Sequence, residues 1–250
     1  MPETLIKEAE TEEIVAVSNG IYARYIKRLA DFFLSLSAMI VLSPVLLILT
    51  IVGAVAMKGN PFFVQERPGK NEKIFKLIKF RTMTCEKDKD GKLLPDEERL
   101  TGYGNFLRNT SLDELPELIN ILKGDMAVIG PRPQLVRDMV FMSPRQRMRH
   151  KVRPGLSGLA QINGRNAIKW ERKLDYDLEY IQHITFLGDW KIIFLTFLKV
   201  FKREDISAEG METAEDYGDY LLKHGFVTQP EYEEKQEKAS TLLLPKGGNL

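Results

Sequence analysis

Two adjacent carboxylates, Asp113 and Glu114, stand in the run TSLDELPEL that begins at Thr110. Paired acids can supply a nucleophile, a metal ligand or a proton carrier. They also have a purely structural reading: Ser111 and Glu114 fit a capping box, acids favour a helix start, and Pro116 suits a first turn. Five arginines carry the argument past the cap. Arg81 lies in KFRTM, Arg108 just ahead of the acids, Arg132 with Pro133 in GPRP, Arg153 in VRPG and Arg165 in NGRN. Each sits beside a turn former or a motif boundary, where backbone N–H groups can also point outward. Guanidinium groups and exposed amides together are what a pyrophosphate needs. Carboxylates beside a pyrophosphate imply a bridging divalent cation. Magnesium is the usual one, since it keeps several waters and uses one or two carboxylates. Neighbours on a helix point about 100° apart. Asp113 and Glu114 are therefore expected to divide the work, one attacking and the other holding metal or moving protons.

The elements that position these groups follow from the rest of the chain. It has 250 residues, 44% hydrophobic and 28% charged, which excludes both a multi-span membrane protein and a largely disordered one. Lys+Arg 36 against Asp+Glu 35 leaves a net charge of +1, so nucleic acid is not an expected partner. Cys85, the single cysteine, cannot form an internal disulfide, zinc-ligand spacing is absent with only three scattered histidines, and a reducing compartment is the natural setting.

No charge interrupts the run from Phe32 to Met57. A straight helix of that length reaches about 39 Å, enough to cross a hydrocarbon core of about 30 Å. The acidic leader ahead of it argues against a signal peptide. Two features argue against a simple span. Ser43-Pro44 falls near the centre, where proline kinks or breaks a helix. Positive residues flank both ends: Arg24, Lys27 and Arg28 before, Lys58, Arg67 and Lys70 after. Both flanks then prefer the cytoplasm. A segment that enters, bends at Ser43-Pro44 and returns satisfies these constraints, with the Ser43 hydroxyl serving a backbone group freed by the proline. A kinked single span satisfies the length equally well, and the two readings stand side by side on sequence physics.

Beyond the apolar run, KIFKLIKF (73–80) suits a short strand, residues 105–123 carry helical spacing, MAVI (126–129) a strand, 134–150 a basic amphipathic helix, 152–166 a loop and 169–182 a helix. Residues 86–97 nearly fit a calcium loop, but Glu86 replaces the usual Asp and the flanks are not helical, so a solvated loop is expected. In 184–203, Phe186, Trp190, Phe194, Phe197 and Phe201 form one helical stripe. That pattern suits a helix lying in a bilayer interface, and equally one facing a core. From Pro230 onward the chain is charged and then Gly-rich, and reads as loosely ordered.

These residues resemble the bacterial sugar transferases, specifically the small monotopic phosphoglycosyl transferases. The resemblance runs over roughly residues 24–203. It is carried by YIKRLAD, the Ser43-Pro44 segment, PFFVQERPG, KFRTM, the block from Arg108 to Pro133, VRPGLSGLAQINGRN, and Trp170 followed by Asp177 and Tyr180. Asp175 in LDYDLEY is a small departure. The resemblance implies transfer of a phospho-sugar from a UDP-sugar to a polyprenyl (undecaprenyl) phosphate, releasing UMP, at the cytoplasmic face of a bacterial inner membrane. It implies a reentrant membrane segment, magnesium, and Asp113 as a nucleophile that forms a covalent phospho-sugar intermediate. The acceptor, a phosphate monoester, is already ionised near neutral pH and needs no general base, which agrees with a nucleophilic Asp.

On that basis Asp113, Glu114 and Arg108 form the expected catalytic set, with Glu114 as metal ligand. Arg81, Arg132, Pro133, Arg153, Gln161, Asn163, Gly164 and Arg165 are expected to bind substrate, and Ser43 and Pro44 to break the membrane helix. The expected fold is α+β, mainly α, with a reentrant (helix-break-helix) segment, interfacial amphipathic helices and a small cytosolic domain with short β elements. Its divisions are a polar leader 1–20, a basic flank and membrane segment 21–58, a catalytic domain 59–205 that includes the interfacial helix 184–203, and an extension 206–250. Expected partners are a nucleotide sugar, a polyprenyl phosphate and membrane lipid, with homodimerisation left open. A glycosyltransferase releasing UDP and a membrane-anchored adaptor without catalysis are the rival readings.

Overall fold

The computed structural model describes residues 15–164, 168–202 and 215–244. A π-turn at Tyr22–Ile26 leads into α1, Lys27–Ala56. The helix is not broken at Ser43-Pro44, contrary to the sequence reading: Pro44 lies inside one continuous element. Pro44 lacks the N–H that would bond the Ile40 carbonyl, and Ser43 Oγ donates to that same carbonyl at 2.8 Å. The orphaned acceptor is satisfied locally, as the sequence suggested for Ser43, and the helix runs on.

One face of α1 is packed along its length. Arg28 donates to the Ile121 and Leu122 carbonyls at 2.6 and 2.9 Å, and the Val128 amide donates to Asp31 Oδ1 at 3.0 Å. Ala38 and Met39 rest on the cluster of Leu77, Leu118, Ile121 and Met126. Leu49 packs on Phe80 and Leu107, and Tyr103 Oη donates to the Leu49 carbonyl at 2.8 Å. With Ser35, Leu46 and Gly53, which are also packed, these positions fall on one helix face. The other faces carry exposed apolar side chains, Val41 at 75% and Val55 at 76% among them. Both ends of α1 are thus fastened to the same body.

That body is mainly helical with short strands. β1 (Phe62–Pro68) and β2 (Ile74–Phe80) pair antiparallel, Phe62 opposite Phe80. Then come α2 (Asp96–Arg99), α3 (Gly102–Thr110), a 3-10 turn at Leu112–Glu114, and α4 (Glu117–Lys123). Asn120 of α4 stitches itself to β2, Nδ2 donating to the Lys76 carbonyl and Oδ1 accepting from the Ile78 amide. β3 (Ala127–Ile129) pairs parallel with β4 (Gly155–Ser157). Their ends cross closely: a Cβ on Gly155 would lie 2.0 Å from the Gly130 nitrogen, so only glycine fits. Between them, α5 (Val136–Met139) and α6 (Pro144–Arg147) replace the single helix expected over 134–150. Ser143 and Gln146 form a capping box that restarts the chain there.

α7 (Leu159–Ile162), α8 (Trp170–Gln182) and α9 (Phe186–Lys202) follow. The buried side of α9 is Asp189 and Ile192, whereas Phe186, Trp190, Phe194 and Phe197 are all exposed. The aromatic stripe does not face the core. Asp189 docks α9 onto the start of α1, accepting from Tyr22 Oη, Lys27 Nζ and Tyr180 Oη at 2.8, 2.6 and 2.9 Å.

Finally α10 (Tyr217–Lys223) and α11 (Gln229–Leu243) pack on α5 and α8. This corrects the expectation of a loosely ordered end from Pro230. A Thr228–Glu231 capping box and Pro230 in the first turn start α11, and Ala239 is buried against Val136 and Met139.

Candidate active site

α3 ends at Ser111, whose φ of 55° is left-handed, and the chain turns there into the 3-10 turn Leu112–Glu114. The expected capping box is absent: Ser111 is the C-cap of α3 and makes no side-chain cap bond to the acidic turn. In a 3-10 turn successive residues diverge by about 120°. Glu114 is accordingly buried while Asp113 is half-buried, and both line a polar cavity of about 1080 Å³.

Glu114 is the centre of a buried ion cluster. Its Oε1 accepts from Lys79 Nζ at 2.9 Å and Arg132 Nη2 at 2.7 Å. Lys79 also pairs with Glu117 at 3.1 Å. Burial opposes the charge on Lys79, but Glu114 and Glu117 outweigh it and raise its pKa. Burial, which Lys79 only partly offsets, raises the Glu117 pKa. Glu114 holds Arg132 firmly protonated. The sequence reading missed Lys79 and Glu117. Period-2 alternation along KIFKLIKF, which puts Lys79 on the same face as the buried Phe75 and Leu77, was the available signal for the first.

The arginines divide. Arg81, Arg108 and Arg132 all line the polar cavity, and Arg108 Nε donates to Thr82 Oγ1 at 3.2 Å. Arg153 does not join them. It donates from Nε to the Gly124 carbonyl at 2.7 Å, serving the end of α4, and lines neither cavity. Pro133 contributes its carbonyl to Arg67 at 3.1 Å, and Arg149, paired with Asp177, donates to the Arg132 carbonyl. The GPRP loop is therefore fixed by two further arginines. Gln161 lines the cavity with both amide atoms buried and unpaired among the described residues. Asn163 is exposed and bonds the Leu159 carbonyl, and Gly164 lies beside Ile168, both outside the cavity lining. Arg165 lies outside the described residues.

A second cavity, of about 530 Å³, opens between α1 and α9 and is lined mostly by apolar groups such as Leu34, Leu42, Leu115, Ile193 and Phe197. Glu114, Arg132 and Gln161 belong to both cavities. A wet cavity and a greasy one therefore meet at a carboxylate and a guanidinium. The charged loop 86–97 is a hairpin whose Asp88 Oδ1 accepts from the Asp90 and Lys92 amides, as a solvated loop would.

The side chains that could hold the expected magnesium ion are the carboxylates of the acidic turn. Among the described residues, no three acidic, histidine or cysteine side chains converge as an all-protein cage. Asp113 and Glu114 supply two carboxylates to a cavity walled by arginines, which suits an ion that takes its other ligands from phosphate and water.

A family model described as bacterial sugar transferase matches residues 22–203. The chain belongs to the bacterial sugar transferase family. Over 194 residues it is 46% identical to the uncharacterized sugar transferase EpsL of Bacillus subtilis, covering 77% of this chain and 95% of that one. It is 40% identical over 215 residues to the UDP-glucose:undecaprenyl-phosphate glucose-1-phosphate transferase of Klebsiella pneumoniae, covering 78% of this chain but 46% of that one. The exopolysaccharide production protein ExoY of Sinorhizobium fredii is 35% identical over 189 residues, 68% of this chain and 83% of that one. This transferase thus spans less than half of the Klebsiella relative and nearly all of the Bacillus one.

Proposed function

We propose that this transferase moves a phospho-sugar from a UDP-sugar to a polyprenyl phosphate such as undecaprenyl phosphate. The products are UMP and a polyprenyl-diphospho-sugar. The observation that carries the reading is the shared wall: Glu114, Arg132 and Gln161 line both the polar and the apolar cavity. A reaction joining a water-soluble phosphate donor to a lipid phosphate needs that junction. The name of the Klebsiella relative supports the same substrate pair.

The donor diphosphate enters the polar cavity, where Arg81, Arg108 and Arg132 neutralise its charge. An Asp113 carboxylate oxygen attacks the β-phosphorus, and the bond from that phosphorus to the bridging oxygen breaks, releasing UMP. A lipid phosphate oxygen, reaching from the apolar cavity, then attacks the same phosphorus and frees Asp113. Arg132 stabilises the charge that develops in both steps. Glu114 would hold a magnesium ion, which when bound would neutralise charge on the diphosphate.

The lipid is received between α1 and α9, and the enzyme sits monotopically on the cytoplasmic face. Three observations support this. Both ends of α1 are fastened to one body, both of its flanks are basic, and the stripe Phe186, Trp190, Phe194 and Phe197 is exposed.

The test is Asp113→Asn in full-length protein with magnesium and polyprenyl phosphate. It should abolish both UMP release and labelling of the protein by sugar-labelled donor. Labelling that persists in this variant rejects Asp113 as nucleophile, and release of UDP in place of UMP rejects phospho-sugar transfer.

A further inference from the structure

The polar cavity does not end at the arginines. Glu215 and Asp216 line its far side, and both lie beyond the family match, which ends at residue 203. They are held in place. Arg137 pairs with Asp216, Trp170 Nε1 donates to the Glu215 carbonyl at 3.1 Å, and the Tyr217 amide donates to Asp138 Oδ1 at 2.8 Å. The Tyr217 ring packs on Trp170 with centroids 5.1 Å apart.

α8 supplies Asp177 to the same wall. It is 2% exposed, its Oδ2 accepts from Arg149, and its Oδ1 has no hydrogen-bond partner among the described residues. A buried carboxylate oxygen left without a donor is costly, so this position asks for one. Lys173 connects this end to the phosphate end. It lines the cavity together with Arg132 and Asp177.

Each of these carboxylates is balanced by a cation, Asp216 by Arg137, Asp177 by Arg149 and Glu215 by Lys223 at 3.2 Å, and their remaining oxygens can accept from hydroxyls. This end therefore suits an uncharged, hydroxyl-rich part of a ligand whose phosphates lie against Arg81, Arg108 and Arg132. Resting on the donor reading above, we propose that this end of the cavity binds a hydroxylated ring of the nucleotide sugar, and that Glu215 and Asp216, from outside the family match, set which ring is accepted. The transferred sugar and the ribose share that chemistry, and the experiment separates them.

The full-length enzyme and its Glu215→Gln and Asp216→Asn variants are compared by kcat/KM for UMP release from UDP-glucose and UDP-galactose, by inhibition with UMP, and by thermal melting. If the ring is the transferred sugar, the ratio of kcat/KM between the two donors shifts by about tenfold, the effect of one mispaired hydroxyl, and UMP inhibition is unchanged. If the ring is the ribose, both donors weaken together and UMP binds less tightly. Either result supports the proposal and identifies the ring. Asp216→Asn loses its ion pair to Arg137 and can fail to fold; Glu215→Gln keeps that pair, gives up only the more exposed one to Lys223, and decides alone in that event. Donor ratios and UMP inhibition all within twofold of wild type, in a folded variant, overturn the proposal. Failure of the parent reading looks different: the wild type itself releases no UMP from any donor, and both fall.

Discussion

Arg132 reaches Glu114 from the GPRP loop, Nη2 to Oε1 at 2.7 Å, and the same oxygen also accepts from Lys79 at 2.9 Å. The acidic turn, the hairpin strand and the loop after β3 are thereby joined at one atom. Most of what the site can do depends on this cluster keeping its shape.

Arg132→Lys tests it. Lysine is a point charge without the planar fork, so it cannot bond Glu114 and a phosphate oxygen in the same geometry. We expect UMP release to fall by about 10²-fold, the scale of losing one preorganised electrostatic group, with little change in Tm. Steady-state rates and melting curves check both halves. A rate within threefold of wild type contradicts the role given to Arg132.

The two fastened ends of α1 make a topological prediction. Gly20 and Gly59 flank the apolar run, and a side chain at either meets nothing closer than 3.9 Å. In a Cys85→Ser background, needed because Cys85 is exposed, Gly20→Cys and Gly59→Cys should both react with an impermeant maleimide in inside-out vesicles. Neither should react in intact cells. Reaction of the two from opposite sides means that α1 spans.

Glu72 gives the pH dependence. His150, 3.7 Å away, and Arg147, in direct contact, hold its carboxyl down to about 2. A depressed carboxylate contributes stability above its unfolded pKa and loses it as pH falls toward the folded value. Glu72→Gln should lower Tm by about 1–4 °C at pH 7, a modest loss because the pair is partly exposed. The difference from wild type should narrow below pH 4.5 and vanish near pH 2. Melting curves at pH 7 and across the acidic range read this directly. Equal melting at pH 7 means that the pair contributes nothing.

Phe194 is 63% exposed on the aromatic stripe and lies outside both cavity linings. Burying a phenylalanine in an apolar phase gains about 1.5–3 kcal/mol, so Phe194→Glu should cut liposome partitioning by about 10- to 100-fold. Transfer to the lipid acceptor should fall, while labelling of Asp113 by soluble donor persists. Unchanged flotation with liposomes assigns the stripe to something other than a membrane surface.

The sequence was most legible where residue types and local spacing decide the outcome. Asp113, Glu114, Arg81, Arg108 and Arg132 were all readable from types and turn formers, and the structure gathers them around one cavity. Arg153 shared the same local signature and went elsewhere, to the Gly124 carbonyl at the end of α4. No local pattern encodes the parallel pairing of β3 with β4 that places this segment. A local rule makes Pro44 a kink or a break, and it cannot know that Ser43 takes up the abandoned carbonyl and the helix continues. Glu117 was hidden for another reason: its partner Lys79 comes from a strand far back in the chain. The role of residues 215–216 is also tertiary, set by where α10 and α11 dock.

The meeting of a wet cavity and a greasy one at Glu114 and Arg132 bears on turnover as well as chemistry. Under the proposed function, UMP would leave through the wet cavity and the lipid product through the greasy one, so the two exits would not cross.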